Sequence, residues 1–119
     1  MEINRIYIAG ALNAMAVEYI KNLHKMFSLA NMIREAGFSV YIPGLDLLMG
    51  IQFGNWEYED YFQNSQPWLD ASDSVYVVPG WEKSKGTNNE IKRAKEKGIP
   101  VFYNVSDLMH WKNGVKELK

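Results

Sequence analysis

Residues 74–90, SVYVVPGWEKSKGTNNE, decide the fold. Ser74 to Val78 is apolar at its centre with no polar alternation, the pattern of a parallel strand covered on both faces. Pro79 to Gly86 reads as a loop and Thr87 to Lys97 as a helix. A covered strand that passes through a short loop into a helix is half of a βαβ unit.

Working outward, the same alternation recurs. Ile3 to Ala9 reads as a strand ended by Gly10. A long helix follows, with Ala16, Ile20, Leu23, Phe27, Ala30 and Ile33 as its apolar stripe. His24, Ser28, Asn31 and Glu35 form the opposite, polar face, and Gly37 ends the helix at C′. Phe38 to Ile42 is a second strand, stopped by Pro43-Gly44. Pro43 to Trp56, with Gly44, Gly50 and Gly54, reads as a loop. Glu57 to Ser72 reads as a helix that Pro67 should bend or restart. After the central segment, Gly98-Ile-Pro leads into a strand at Val101 to Tyr103, and a short helix is expected from Ser106.

Strands alternating with helices predict one α/β domain over residues 1–119, a flavodoxin- or Rossmann-like three-layer sandwich. Its parallel sheet should have four to five strands in the order 2-1-3-4. Ligands of such sheets bind where the strand order reverses, at the carboxyl ends of the first and third strands. That topology points at Tyr7, Gly10 and the segment from Pro79 to Glu90.

Composition narrows the function classes. The 13 basic and 14 acidic residues give no positive excess for a nucleic-acid backbone. The absence of cysteine excludes disulfides and thiolate metal sites and favours a cytoplasmic setting. His24 and His110 have no carboxylate neighbours at ligand spacing, so neither a metal nor another cofactor is called for. No signal peptide or membrane-spanning run is evident, and no membrane partner is expected.

The loop after the third strand carries the candidate chemistry. Gly86 permits close backbone approach, the first-turn amides of the helix offer an anion cradle, and Ser84 adds a hydroxyl. The spacing of Gly80 and Gly86 is not that of a Walker A loop, and Thr87 stands where its lysine would. Glu90 has two readings. Thr87-Asn-Asn-Glu90 spells a capping box, in which Thr87 caps the helix and Glu90 bonds back to the cap. Alternatively, Glu90 is a carboxylate presented to the ligand crevice. Tyr7 is likewise either a core aromatic or a partner of the site. Trp56, Tyr58, Tyr61 and Phe62 either line a base pocket or pack a loop onto the sheet.

Tyr7-Ile-Ala-Gly10, the Pro79-Gly-Trp-Glu-x-Ser-x-Gly-x-x-x-Glu90-Ile run and Gly98-Ile-Pro-Val101 resemble the nucleoside 2-deoxyribosyltransferase family, in particular its short DUF4406-type members. The resemblance covers residues 3 to 103. It implies that Glu90 is a nucleophile attacking the anomeric carbon to form a glycosyl-enzyme ester, and that Tyr7 orients it. Nucleoside-acting relatives carry aspartate six residues before the nucleophile, whereas nucleoside 5′-monophosphate hydrolases carry serine. Ser84 follows the monophosphate pattern. The resemblance also implies a homo-oligomer, a dimer or higher.

Three positions depart from the family. Ser65 stands where relatives place an aspartate that helps the base leave, with Asp60 and Asp70 out of register. Asn13 stands near a basic residue of the phosphohydrolase relatives, and Ala11 replaces a proline. Lys83 or Lys85 could supply the missing cation. The reading is cleavage or transfer at the N-glycosidic bond of a nucleoside 5′-monophosphate or nucleoside. Catalytic roles fall to Glu90 and Tyr7, and substrate contacts to Gly10, Asn13, Ser65, Ser84, Gly86 and Thr87. The alternative is a nucleotide-binding module of weak or no activity using the same pocket.

Overall fold

The computed structural model describes residues 3–10 and 16–117. Chain order is β1 (Arg5–Ala9), α1 (Ala16–Glu35), β2 (Ser39–Tyr41), α2 (Gly44–Phe53), α3 (Tyr58–Asp70), β3 (Ser74–Val77), α4 (Lys85–Glu96), β4 (Val101–Phe102) and α5 (Val105–Glu117). The four strands form one parallel sheet in the order β2-β1-β3-β4, as the alternation predicts.

The two faces of the sheet follow from the two-residue period of its strands. Ile6 and Ile8 of β1 point one way, with Tyr76 and Val78, onto Met26, Ala30 and Ile33 of α1 and Leu108 of α5. Tyr7 and Ala9 point the other way, with Val75 and Val77, onto Leu69 of α3 and Ile91 and Ala94 of α4. Two dry half-cores on one sheet make three layers, and burial of these side chains supplies the main driving force for folding. The Arg93 guanidinium adds a bidentate ion pair to Asp70, at 2.9 and 2.7 Å, clamping α4 to α3. On the other face, Trp111 of α5 packs against Phe102 with ring centroids 5.6 Å apart.

Four local expectations are corrected. The buried stripe of α1 runs through Tyr19, Leu23, Met26, Ala30 and Ile33, while Ile20 and Phe27 face outward. Both series have helical spacing and share three members, so periodicity alone could not choose. Met26 occupies the inner position because its flexible thioether reaches the end of β1. A Cβ on Gly10 would lie 2.9 Å from Met26 Cε and 3.0 Å from Val78 Cβ.

The second correction concerns Pro43 to Trp56, where Gly44–Phe53 form the helix α2 instead of a loop. Gly50 does not break it. A Cβ there would lie 2.7 Å from Cε1 of Tyr61 and nearer still to its phenol end, so this glycine is the seat on which Tyr61 of α3 rests. The third lies at Pro67, which sits within α3 without interrupting it. The tail from Val105 is a helix of 13 residues, longer than expected.

Candidate active site

Gly10 at the end of β1 and the segments following β2 and β3 enclose a cleft of about 700 Å³ at the carboxyl ends of the strands. Its floor is Glu90, on the second turn of α4. One wall is the segment from Gly80 through Thr87. The opposite wall is Pro43, Gly44, Asp46 and Leu47 around the start of α2, and Tyr58, Tyr61, Phe62 and Ser65 of α3 close the side between them. Gly10 at the end of β1 completes the floor.

Tyr7 lies beneath Glu90. Its side chain is fully buried, and its phenol donates a hydrogen bond to Oε2 of Glu90. Burial holds the Tyr7 pKa well above the ordinary phenol value, reinforced by the Glu90 charge, so it is a donor at neutral pH. The Ser65 hydroxyl acts in the opposite direction. Burial pushes the Glu90 carboxyl up to about 7. The Tyr7 hydrogen bond works against that rise, and the charge of Asp46 adds to it.

The capping reading of Thr87 and Glu90 is overturned. The N-cap of α4 is Ser84, whose Oγ accepts from the Thr87 amide at 3.2 Å and from the Thr87 hydroxyl at 3.0 Å. The helix therefore begins three residues earlier than a Thr87 cap requires. Glu90 falls a full turn inside it, released from the cap and turned toward Tyr7. Ser84 accepts two hydrogen bonds and keeps its own proton to donate outward. Lys85 and Gly86, at the first two helical positions, have amides without an intrahelical acceptor. A Cβ on Gly86 would meet no atom within 4 Å, so this backbone is open to an incoming group. Asn88 braces the loop by donating to the carbonyls of Glu82 and Ser84 at 3.1 and 2.8 Å.

Lys83 and Lys85 both line the cleft, and the Lys85 ammonium lies 5.5 Å from the centroid of the Tyr58 ring. Asn89 donates to the Tyr58 hydroxyl at 3.0 Å, tying α4 to α3 at the rim. Trp56 is not part of the cleft wall and packs on Tyr61 at 5.0 Å. The structure thus brings Gly10, Ser65, Ser84, Gly86, Thr87 and Glu90 to one cleft with Tyr7 behind it. Asn13 lies outside the described residues.

Asp46 is the site residue that sequence reasoning missed. It is 7% exposed, and its Oδ2 accepts from the Asn64 amide at 3.0 Å. Burial raises its pKa above the ordinary carboxylate value, with the Asn64 bond opposing. Asp46 and Glu90 together, after burial, help push the nearby Tyr41 phenol up to about 12. The signal was present: between Glu35 and Glu57, Asp46 is the one charged residue, set in the apolar run LDLLM. A loop reading left no reason to ask where that charge points. Among the described residues no cluster of three or more His, Cys, Asp or Glu is placed to hold a metal ion. None of their helices is long and apolar enough to cross a membrane.

Fold and site together define an α/β protein with a cleft at its topological switch point and a phenol-held carboxylate on the floor. The chain belongs to the DUF4406 family, a domain of unknown function whose profile matches residues 4–103. Its fold is that of a 2-deoxyribosyltransferase from the psychrotolerant bacterium Bacillus psychrosaccharolyticus. The two are 21% identical with a TM-score of 0.64, covering 82% of this chain and 69% of that one. A conserved protein from Enterococcus faecalis V583 is similar at 22% identity and a TM-score of 0.62, covering 84% and 62%. This chain thus spans less than two thirds of the second protein's length. No curated protein sequence matches the chain. At these identities the two structures establish a shared fold.

Proposed function

We propose that the cleft cleaves or transfers at the N-glycosidic bond of a nucleoside 5′-monophosphate or nucleoside. Glu90 is the nucleophile and Tyr7 the residue that positions it. The observation that carries this reading is the Tyr7–Glu90 hydrogen bond at the bottom of a nucleotide-sized cleft. A carboxylate so held can attack C1′ as the base departs through an oxocarbenium-like transition state, giving a glycosyl ester that water or a second base resolves. The open amides of Lys85 and Gly86, the outward Ser84 hydroxyl and the two cleft lysines support a phosphate at the opposite end. The fold shared with a 2-deoxyribosyltransferase supports the same chemistry.

The test incubates the protein with nucleosides and their monophosphates and separates the products for free base. Release of base by the wild type and its loss in Glu90→Ala is the expected result. A folded protein releasing no base from any of them defeats the proposal.

Ser65, at a place where the resembled family has a carboxylate, favours a second reading, a nucleotide-binding module without turnover. It requires tight nucleotide binding that survives Glu90→Ala. We extend the proposal to self-association of the chain. Leu45, Leu48, Met49 and Phe53 leave one side of α2 apolar and exposed.

A further inference from the structure

We propose that Asp46, reaching the cleft from α2, is the general acid that protonates the departing base and so replaces the carboxylate absent at Ser65. This inference rests on the glycosidic reading of the site. Its geometric basis is the strand order. β1 lies between β2 and β3, so the segments following those two strands rise on either side of it. Asp46 comes from the segment after β2 and Glu90 from the segment after β3, and both face the same cleft. A sugar held over Gly10 therefore has one carboxyl on each side. That is the arrangement a two-carboxyl displacement at an anomeric centre needs.

The surroundings differentiate the two groups. Glu90 is gripped from below by Tyr7, which fixes one oxygen and favours its ionised form. Asp46 is anchored through Oδ2 to Asn64, and its Oδ1 makes no hydrogen bond among the described residues. Tyr7 from β1, Tyr41 from β2, Asn64 and Ser65 from α3, and Lys83 and Lys85 of the cleft wall are polar and charged groups around the pair. Burial raises both carboxyls above the ordinary carboxylate range, and the charge of Asp46 adds to the rise at Glu90. The form competent for the displacement is the one with Glu90 ionised and a proton on Asp46.

The steps then balance. The Glu90 carboxylate forms a bond to C1′ while the C1′–N bond breaks with its electron pair going to the base. The Asp46 proton moves to the base. In the second step water forms a bond to C1′, the ester oxygen returns to Glu90 with its electron pair, and the water proton restores Asp46.

Asp46→Asn tests this with two leaving groups on the same sugar: a base that the wild type releases, and 4-nitrophenolate, which departs without a proton. The expected result is a loss of about a hundredfold in kcat for the natural base and less than about threefold for the nitrophenyl glycoside. The descending alkaline limb of the wild-type pH profile should disappear in the variant. Retained nitrophenyl turnover shows that the variant is folded. An unchanged rate on both substrates, or an equal loss on both, overturns the role of Asp46 while leaving Glu90 as nucleophile. Absence of base release by the wild type overturns the underlying reading and this inference with it.

Discussion

Tyr7 and Glu90 are 83 positions apart in the chain, yet the phenol of one donates to the carboxylate of the other on the cleft floor. Parallel pairing of β1 with β3, Tyr7 opposite Val75, brings the two segments together. Because this hydrogen bond favours the ionised form of Glu90, Tyr7→Phe should raise the Glu90 pKa above about 7. Base release at pH 7 should fall by roughly tenfold, in line with the loss of a hydrogen bond to a charged group. The acid limb of the rate profile should move to higher pH. An unshifted limb would show that the phenol does not control the carboxylate.

Glu90→Gln should abolish turnover and stabilise the fold. The Glu90 pKa rises from 4.5 in the unfolded chain to about 7 in the folded protein, so the folded state binds more protons between those values. Stability therefore declines as pH rises through that window. Glutamine keeps an acceptor for Tyr7 without the buried charge. By this linkage the variant should exceed the wild type by up to about 3 kcal/mol at pH 8. Below pH 4.5 the two should converge, as urea denaturation at several pH values can check.

Gly50→Ala should be destabilising by about 1–2 kcal/mol although alanine favours helices over glycine. The new methyl would collide with the Tyr61 ring. In a Tyr61→Ala background the same change should turn neutral or stabilising. Thermal denaturation of the four proteins measures this reversal, and a cost that persists without Tyr61 would refute the packing explanation.

Removing the Asp70–Arg93 clamp with Arg93→Ala should lower stability only slightly at pH 7, since both side chains are partly exposed. Hydrogen bonding to Arg93 lowers the Asp70 pKa below its ordinary 3.8. The pair's contribution is therefore complete above that value and vanishes as pH falls through the lowered one. Wild type and variant should have converging stabilities in strong acid.

The exposed apolar side of α2 should mediate self-association. Leu48→Glu with Met49→Glu should lower the molar mass seen by sedimentation equilibrium while leaving the far-ultraviolet circular dichroism unchanged. A wild type that sediments as a monomer at tens of micromolar would remove this part of the proposal.

The sheet was legible in the sequence because SVYVV and RIYIA are apolar on both faces and alternate with helical segments, a pattern that few architectures satisfy. Chain order then set the strand order, and the strand order located the cleft before any side chain was placed. Local spacing, however, left α1 with two stripes of equal period and Thr87 with a plausible cap. Only the packed structure chose Met26 over Phe27 and Ser84 over Thr87. It also turned Gly50 from an apparent breaker into the seat of Tyr61 and carried Asp46 to the cleft. Periodicity along one segment reports which side of an element is apolar. Which neighbour meets that side, and which isolated charge is drawn into a pocket, depends on contacts between residues far apart in the chain.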